Sequence, residues 1–211
     1  MGESPSLAEE QQRALERLST VKVLDDYYLA GGSAVAYHLG HRRSRDVDLF
    51  SIHDGVELDR VASAVAAAER DTRVLGRTDV ALKLVVCGTP VDVVNYAHPP
   101  LEPPMATPFG VRVAGLLDLA TMKLAAITRR GLRRDFWDLH VILQAGITLA
   151  TAADAYRRRF GVTAADLYHV MRALTYFTDA ERDPLPDGLS AERWRGIRAY
   201  FERETPRLLG A

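Results

Sequence analysis

Gly31-Gly32-Ser33-Ala34-Val35-Ala36-Tyr37-His38-Leu39-Gly40-His41-Arg42-Arg43-Ser44-Arg45-Asp46-Val47-Asp48-Leu49-Phe50 is the stretch on which the fold turns. Just before it, Tyr27-Tyr28-Leu29-Ala30 runs aromatic and aliphatic residues together straight into glycine, as a buried strand does. Gly31-Gly32-Ser33 breaks that strand. Ala34 to Leu39 has the composition of one or two helical turns and Gly40 is a natural C-terminal stop. From Asp46 to Phe50 polar and apolar residues alternate with the period of a strand. The order is therefore strand, glycine-rich turn, helix, strand.

That order brings two kinds of chemistry together. Side chains at i and i+2 of a strand share a face, so Asp46 and Asp48 project side by side and can hold a cation between them. Aspartate is disfavoured in strands, and two on one face repel unless something positive sits there. Magnesium suits the pair, because it is usually bound by one or two carboxylates plus substrate phosphates and not by a complete protein cage. Gly32 allows close backbone approach, and the N–H groups at the start of the helix, with the Ser33 hydroxyl, are placed to receive a phosphate.

Working outward, Ser6 to Leu24 reads as an amphipathic helix and Glu57 to Arg70 as an alanine-rich one. Ala81 to Val86 and Val91 to Tyr96 read as strands paired across the Cys87-Gly88-Thr89-Pro90 turn. Asp92 is the one acid in the second of these, and a buried aspartate without a partner is costly, which makes it a candidate third carboxylate, with Asp79 as an alternative. His98 to Pro108 holds five of the ten prolines and marks a boundary. The expected division is a mixed core over 1–108 and a helical part over 109–211, with helices near 115–130, 133–145, 151–159, 163–177 and 190–204.

In the first of these helices Lys123 falls on the same side as Leu116, Leu119 and Ile127, so a lysine stands within the face expected to be buried. The chain has only three lysines among 27 basic residues. A buried ammonium needs an anionic partner, and a triphosphate is the one expected. Asp135 and Asp138, three apart on the next helix, are placed to order Lys123 or an arginine, or to contact substrate. Arg129, Arg130, Arg133 and Arg134 bracket Gly131 and are candidates for phosphate contacts to an RNA backbone, a surface that Arg157-Arg158-Arg159 would extend. His38 and His41 lack a third nitrogen ligand nearby and are not read as a metal site.

Composition excludes several classes. The lone Cys87 rules out a disulfide framework within the chain and points to a reducing, cytoplasmic setting. Residues 1–12 are acidic and polar, and no apolar run reaches the roughly 18 residues of a membrane helix, so no membrane role is expected. Net charge is −1, but residues 1–104 carry 11 Lys/Arg against 16 Asp/Glu while 105–211 carry 16 against 12. An acidic, metal-binding front half followed by a basic half facing a polyanion fits that division.

The Gly31–Phe50 stretch resembles the signature of the AbiEii/AbiGii toxin family of nucleotidyltransferases, within the polymerase-β-like superfamily. Met122 to Leu139, a Lys-Leu-x-Ala-Ile helix leading into a basic-Asp-Phe-x-Asp-Leu helix, resembles its second motif, although the family often has lysine where Arg134 stands. The resemblance spans about residues 27–145. It implies an α+β fold with a polymerase-β-like core, a small mixed sheet flanked by helices, followed by a helical C-terminal part. It also implies metal held by Asp46, Asp48 and Asp92, with magnesium or manganese as the cofactor. Nucleotide would be bound through Gly32, Ser33 and Lys123, with Arg130, Arg134, Asp135 and Asp138 as further substrate-binding candidates. The implied reaction moves a nucleoside monophosphate from a nucleoside triphosphate to an acceptor. The implied setting is the toxin of a type IV toxin–antitoxin or abortive-infection system, acting on tRNA and countered by a cognate antitoxin. A small-molecule, antibiotic-modifying nucleotidyltransferase and a non-catalytic nucleotide- or partner-binding protein are the alternatives.

Overall fold

The computed structural model describes residues 7–53 and 56–209, and Ser6, the expected start of the first helix, lies outside them. The chain forms two compact units, residues 1–115 and 116–211. The sequence places its boundary at 108/109; the intervening residues include strand β6 (Arg112–Val113), which hydrogen-bonds to β1.

The first unit is a six-stranded mixed sheet in the order β3-β4-β5-β2-β1-β6. Its strands are β1 (Tyr27–Ala30), β2 (Val47–Ser51), β3 (Arg73–Arg77), β4 (Ala81–Val86), β5 (Thr89–Val94) and β6. β1 and β2 are antiparallel, β2 and β5 parallel, and β4 runs antiparallel to both β3 and β5. Alternation decides the faces: Val47, Leu49, Leu82, Leu84, Val91 and Val93 are all buried, whereas Asp48 and Asp92 are only half-buried. Helices α1 (Glu9–Leu18) and α3 (Leu58–Ala68) bury Ala14, Leu15, Leu18, Leu58, Val61 and Val65 and pack with this sheet.

The first expected helix is thus shorter than Ser6 to Leu24, ending at Leu18 before a 3-10 turn at Lys22–Leu24. Strand β3 is absent from the sequence reading. It is an exposed edge strand with a register shift between Val74 and Gly76, so it carries no alternation to detect. The β4–β5 hairpin closes on two residues, Cys87 (φ 50°) and Gly88 (φ 79°), with Val86 opposite Thr89. Two successive positive φ values match the right-handed twist of the strands, and so Thr89 and Pro90 lie in the strand instead of the turn.

Helix α2 (Gly31–Leu39) follows β1 without a loop. Gly31 adopts φ +62° at the junction and Gly40 φ +59° at the far end, conformations that only glycine takes freely. The three residues read as a turn are therefore the first turn of the helix.

The second unit comprises α4 (Leu116–Arg129), α5 (Arg133–Gln144), α6 (Leu149–Phe160), α7 (Ala164–Ala173), α8 (Thr178–Arg182) and α9 (Ala191–Leu209). Phe136, Trp137, Phe177, Trp194 and Phe201 form its aromatic core. Glu181 ties α5, α8 and α9 together by accepting from Arg133 (2.8 Å), Trp194 (3.0 Å) and Arg198 (2.9 Å). No single helix among the described residues is long and apolar enough to cross a membrane.

Candidate active site

Four strands set one row of residues across the sheet. Lys83 on β4 is in register with Asp92 on β5, Asp92 with Asp48 on β2, and Asp48 with Ala30 on β1. Register partners share a face, so the acid of the β2 motif and the lone acid of β5 stand side by side. Asp46 lies two residues before Asp48, half-buried, immediately ahead of the strand.

Each acid is anchored. Asp46 accepts from Ser44 Oγ through Oδ1 (2.9 Å), and its carbonyl accepts from Nε2 of the buried Gln11 on α1 (2.9 Å). Asp92 Oδ2 accepts from Lys83 Nζ at 2.8 Å. Asp48 is held against the first turn of α2, since a Cβ built on Gly31 would fall 1.9 Å from its Oδ2. That contact, together with φ +62°, explains why this junction must be glycine. Lys83 has its ammonium held above the usual range, first by the hydrogen bond to Asp92, which together with the charges of Asp92, Asp48 and Asp46 outweighs the opposing effect of burial. One lysine therefore senses all three aspartates.

The glycine-rich turn stands beside this row. Ser33 is fully buried and its hydroxyl donates to the Ala30 carbonyl at 3.3 Å, bracing the start of α2. A Cβ on Gly32 would lie 2.3 Å from Nη2 of Arg42, so the guanidinium lies directly over this residue. Among the described residues no three His, Cys, Asp or Glu side chains gather into a metal cage of their own. Asp48 and Asp92, in register on neighbouring strands, with Asp46 two residues before Asp48, are the carboxylates that could take part in holding a hard ion such as magnesium or manganese, whose shell is completed by water and phosphate.

The second motif has a different character. Lys123 on α4 is buried, with Nζ 2.7 Å from Asp138 Oδ2 and 3.3 Å from Asp135 Oδ1. Both carboxylates lie on α5 with side chains 0% exposed. Arg130 closes the cluster with a two-pronged grip on Asp135, Nε to Oδ2 at 2.9 Å and Nη2 to Oδ1 at 3.1 Å. Burial alone would push the Asp135 carboxyl up, but the Lys123 charge and the Arg130 bonds outweigh it and hold it below the usual carboxylate range. Lys123 thus meets the two aspartates that the sequence placed to order it, which sit one helical turn apart and face α4.

Two arginine expectations also change. Arg159 is buried, not an extension of a basic surface: its Nη1 reaches Asp118 Oδ1 at 2.9 Å and Thr121 Oγ1 at 3.1 Å, joining α6 to α4. Arg133 is tied to Glu181 and Asp183 and lies over the Trp194 ring. Arg129, Arg134, Arg157 and Arg158 remain exposed. Sequence reasoning missed Gln11, Arg42, Ser44 and Lys83 as parts of the site. Ser44, two residues before Asp46, was within reach of a spacing argument; Gln11 and Lys83 were not.

A mixed sheet that aligns acids on adjacent parallel strands beside a helix opened by two glycines is the core of a nucleotidyltransferase fold. The nucleotidyltransferase toxin MenT4 of Mycobacterium tuberculosis H37Rv has the same fold, with a TM-score of 0.57 at 17% identity over 95% of this chain and 88% of that one. A crystal structure from H. pylori superposes with a TM-score of 0.51 at 17% identity over 96% of this chain and 98% of that one. An uncharacterized protein of Aquifex aeolicus (strain VF5) is 28% identical over 209 residues, covering 96% of this chain and 98% of its relative. The family model described as "Nucleotidyl transferase AbiEii toxin, Type IV TA system" matches residues 72–209. The chain belongs to this toxin family and is a nucleotidyltransferase. The matched segment contains Asp92, Lys123, Asp135 and Asp138, whereas the Gly31–Phe50 stretch precedes it.

Proposed function

We propose that the protein transfers a nucleoside monophosphate from a nucleoside triphosphate to an RNA acceptor, tRNA in particular, in a magnesium- or manganese-dependent reaction. The observation that carries this reading is the register row Lys83-Asp92-Asp48 beside the glycine-opened start of α2. Asp46, Asp48 and Asp92 would hold the metal, which would stabilise the charge on the entering and leaving oxygens. The first turn of α2 receives phosphate oxygens through its N–H groups, with Gly32 giving the close approach and Ser33 bracing the turn. Asp92 takes the proton of the acceptor hydroxyl as its oxygen bonds the α-phosphorus. The bond from the α-phosphorus to the bridging oxygen breaks, and pyrophosphate leaves with that electron pair.

In the second unit, Lys123, Asp135, Asp138 and Arg130 act by fixing α4 against α5. The exposed Arg129 and Arg134 contact acceptor phosphates, a mode that favours a polyanion over a small cationic acceptor. A toxin of this family implies a cognate antitoxin that restrains it in the cell.

The test is incubation of the protein with each α-labelled nucleoside triphosphate, magnesium and total tRNA, beside Asp46→Ala/Asp48→Ala. Label on RNA is expected with the unsubstituted protein and a loss on the order of a thousandfold or more with the variant, as removal of a metal site worth several kcal/mol dictates. Transfer that survives the double substitution would overturn the metal assignment. Label appearing on a small molecule and not on RNA would overturn the acceptor.

A further inference from the structure

Leu7 and, on α1, Ala14, Leu15 and Leu18 are buried, an inward stripe at helical spacing. Gln11 stands in the middle of that stripe and is itself only 2% exposed. The pattern calls for a hydrophobic side chain at this position, and packing alone gives no reason for an amide. A buried amide is costly unless its polar atoms are paired.

Both ends of this amide are in use. Oε1 accepts from the Ala8 N–H at 3.0 Å, at the start of the helix, and Nε2 donates to the Asp46 carbonyl at 2.9 Å, 35 residues along the chain. The second bond falls just beyond the sheet. Asp46 precedes β2, whose pairing with β5 begins at Val47 and whose pairing with β1 reaches Asp48. The ladder therefore holds Asp48 but not Asp46. The buried Ser44 braces the Asp46 carboxylate, Oγ to Oδ1 at 2.9 Å, and Gln11 braces its backbone. A carbonyl held at this point orients the Asp46–Val47 peptide plane, and so limits where the carboxylate can lie.

Resting on the nucleotidyl-transfer reading above, we propose that Gln11 is a positioning residue for the metal site: through this one amide, α1 sets the backbone of Asp46 and with it the aim of the carboxylate. The apolar stripe fixes the helix, and the amide carries that position to the acid. Gln11 acts through Asp46 and through nothing else at the site, as a residue behind a metal ligand does.

The experiment is manganese titration, followed by the paramagnetic signal of the free ion, together with the thermal midpoint of each protein. The proteins are the unsubstituted chain, Gln11→Met, Ala8→Pro, Asp46→Ala and the double variant Gln11→Met/Asp46→Ala. Methionine matches glutamine in length and continues the apolar stripe, but it donates no hydrogen bond. Gln11→Met should weaken manganese about two- to tenfold, the range of one neutral hydrogen bond. Ala8→Pro removes the N–H that Oε1 accepts, at a residue whose φ of −63° suits proline, and should leave manganese binding unchanged. In the Asp46→Ala background, Gln11→Met should weaken manganese no further, because the two substitutions act on one ligand. A second measurement needs no variant. In the isotope-labelled chain, magnesium should shift the side-chain NH2 resonances of Gln11 and leave those of Gln12, whose Nε2 donates to the Leu7 carbonyl at 2.9 Å, in place.

Manganese binding by Gln11→Met equal to that of the unsubstituted chain would overturn the proposal. So would losses that multiply in the double variant, an equal loss in Ala8→Pro, or Gln11 resonances that ignore magnesium. Each of these leaves the metal assignment standing. If Asp46→Ala binds manganese as tightly as the unsubstituted chain, Asp46 is no ligand, and the metal assignment falls together with the proposal.

Discussion

The two motifs both place carboxylates beside a lysine, and they do opposite things with them. On the sheet, Lys83 and Asp92 meet at 2.8 Å with side chains 59% and 35% exposed, and Asp46 and Asp48 share the half-buried neighbourhood. In the helical unit, Lys123 meets Asp138 at 2.7 Å with exposures of 6% and 0%, and Arg130 completes the cluster from its edge. The first arrangement leaves acid oxygens within reach of a dissolved ion. The second takes its charges out of water and pairs them with one another.

The largest expected effects come from exchanging one acid in each place. Asp48→Asn should lower nucleotidyl transfer on the order of a thousandfold while moving the urea midpoint little, because the acid is half-buried and the amide of the same shape keeps one acceptor oxygen. Asp138→Asn should do the reverse in emphasis, destabilising the fold by about 1–3 kcal/mol as the buried Lys123 loses its 2.7 Å partner and is left to share Asp135 with Arg130. Midpoints that move together in the two variants would erase the distinction. A stable Asp138→Asn protein that has lost transfer would move the second motif into the reacting centre.

A smaller effect distinguishes the regions by pH. Asp135 in the folded protein titrates below its ordinary value of 3.8, so the unfolded chain binds the proton more readily. Stability contributed by this group is present above the unfolded value and is lost as pH falls through the folded one. The urea midpoint of the unsubstituted chain should therefore exceed that of Asp135→Asn at neutral pH, with the two curves converging below about pH 4. Curves that stay parallel down to acid unfolding would mean that the Lys123 and Arg130 contacts do not hold the carboxylate ionised.

How much of this was legible in the sequence follows the same division. The strand, helix and strand of the first motif could be read because glycine and aspartate are out of place in them, and Asp92 because it is the one acid in an apolar strand. Lys123 was visible as a lysine on a buried face. Its partners were legible as alternatives, since a helical wheel cannot say whether an external phosphate or Asp135 and Asp138 will face it, and the structure sets both aspartates against it. Arg159 looked like the end of a solvated basic run, and only the packing of α6 on α4 reveals Asp118, 41 residues away. Nothing in the sequence around Lys83 sets it apart. Its meaning depends on β5 lying between β4 and β2, an order that spacing along the chain does not encode. Edge strand β3 escaped because it buries nothing that a pattern could register.

Lys83 also supplies the finest test of the comparison. Its ammonium is drawn to the same carboxylates that would hold a divalent ion, so the two cations compete for Asp92. Were the pair buried like Lys123 and Asp138, removing the lysine would unfold the joint. Being more than half exposed, it should behave as a surface pair worth about 0.2–1 kcal/mol. Lys83→Gln should accordingly leave the urea midpoint nearly unchanged and tighten manganese binding, followed by the paramagnetic signal of the free ion, by no more than about two- to fivefold. Weaker manganese binding would show instead that the lysine's chief role is to orient Asp92, and that the sheet site, like the helical one, is braced by its cation before any ion arrives.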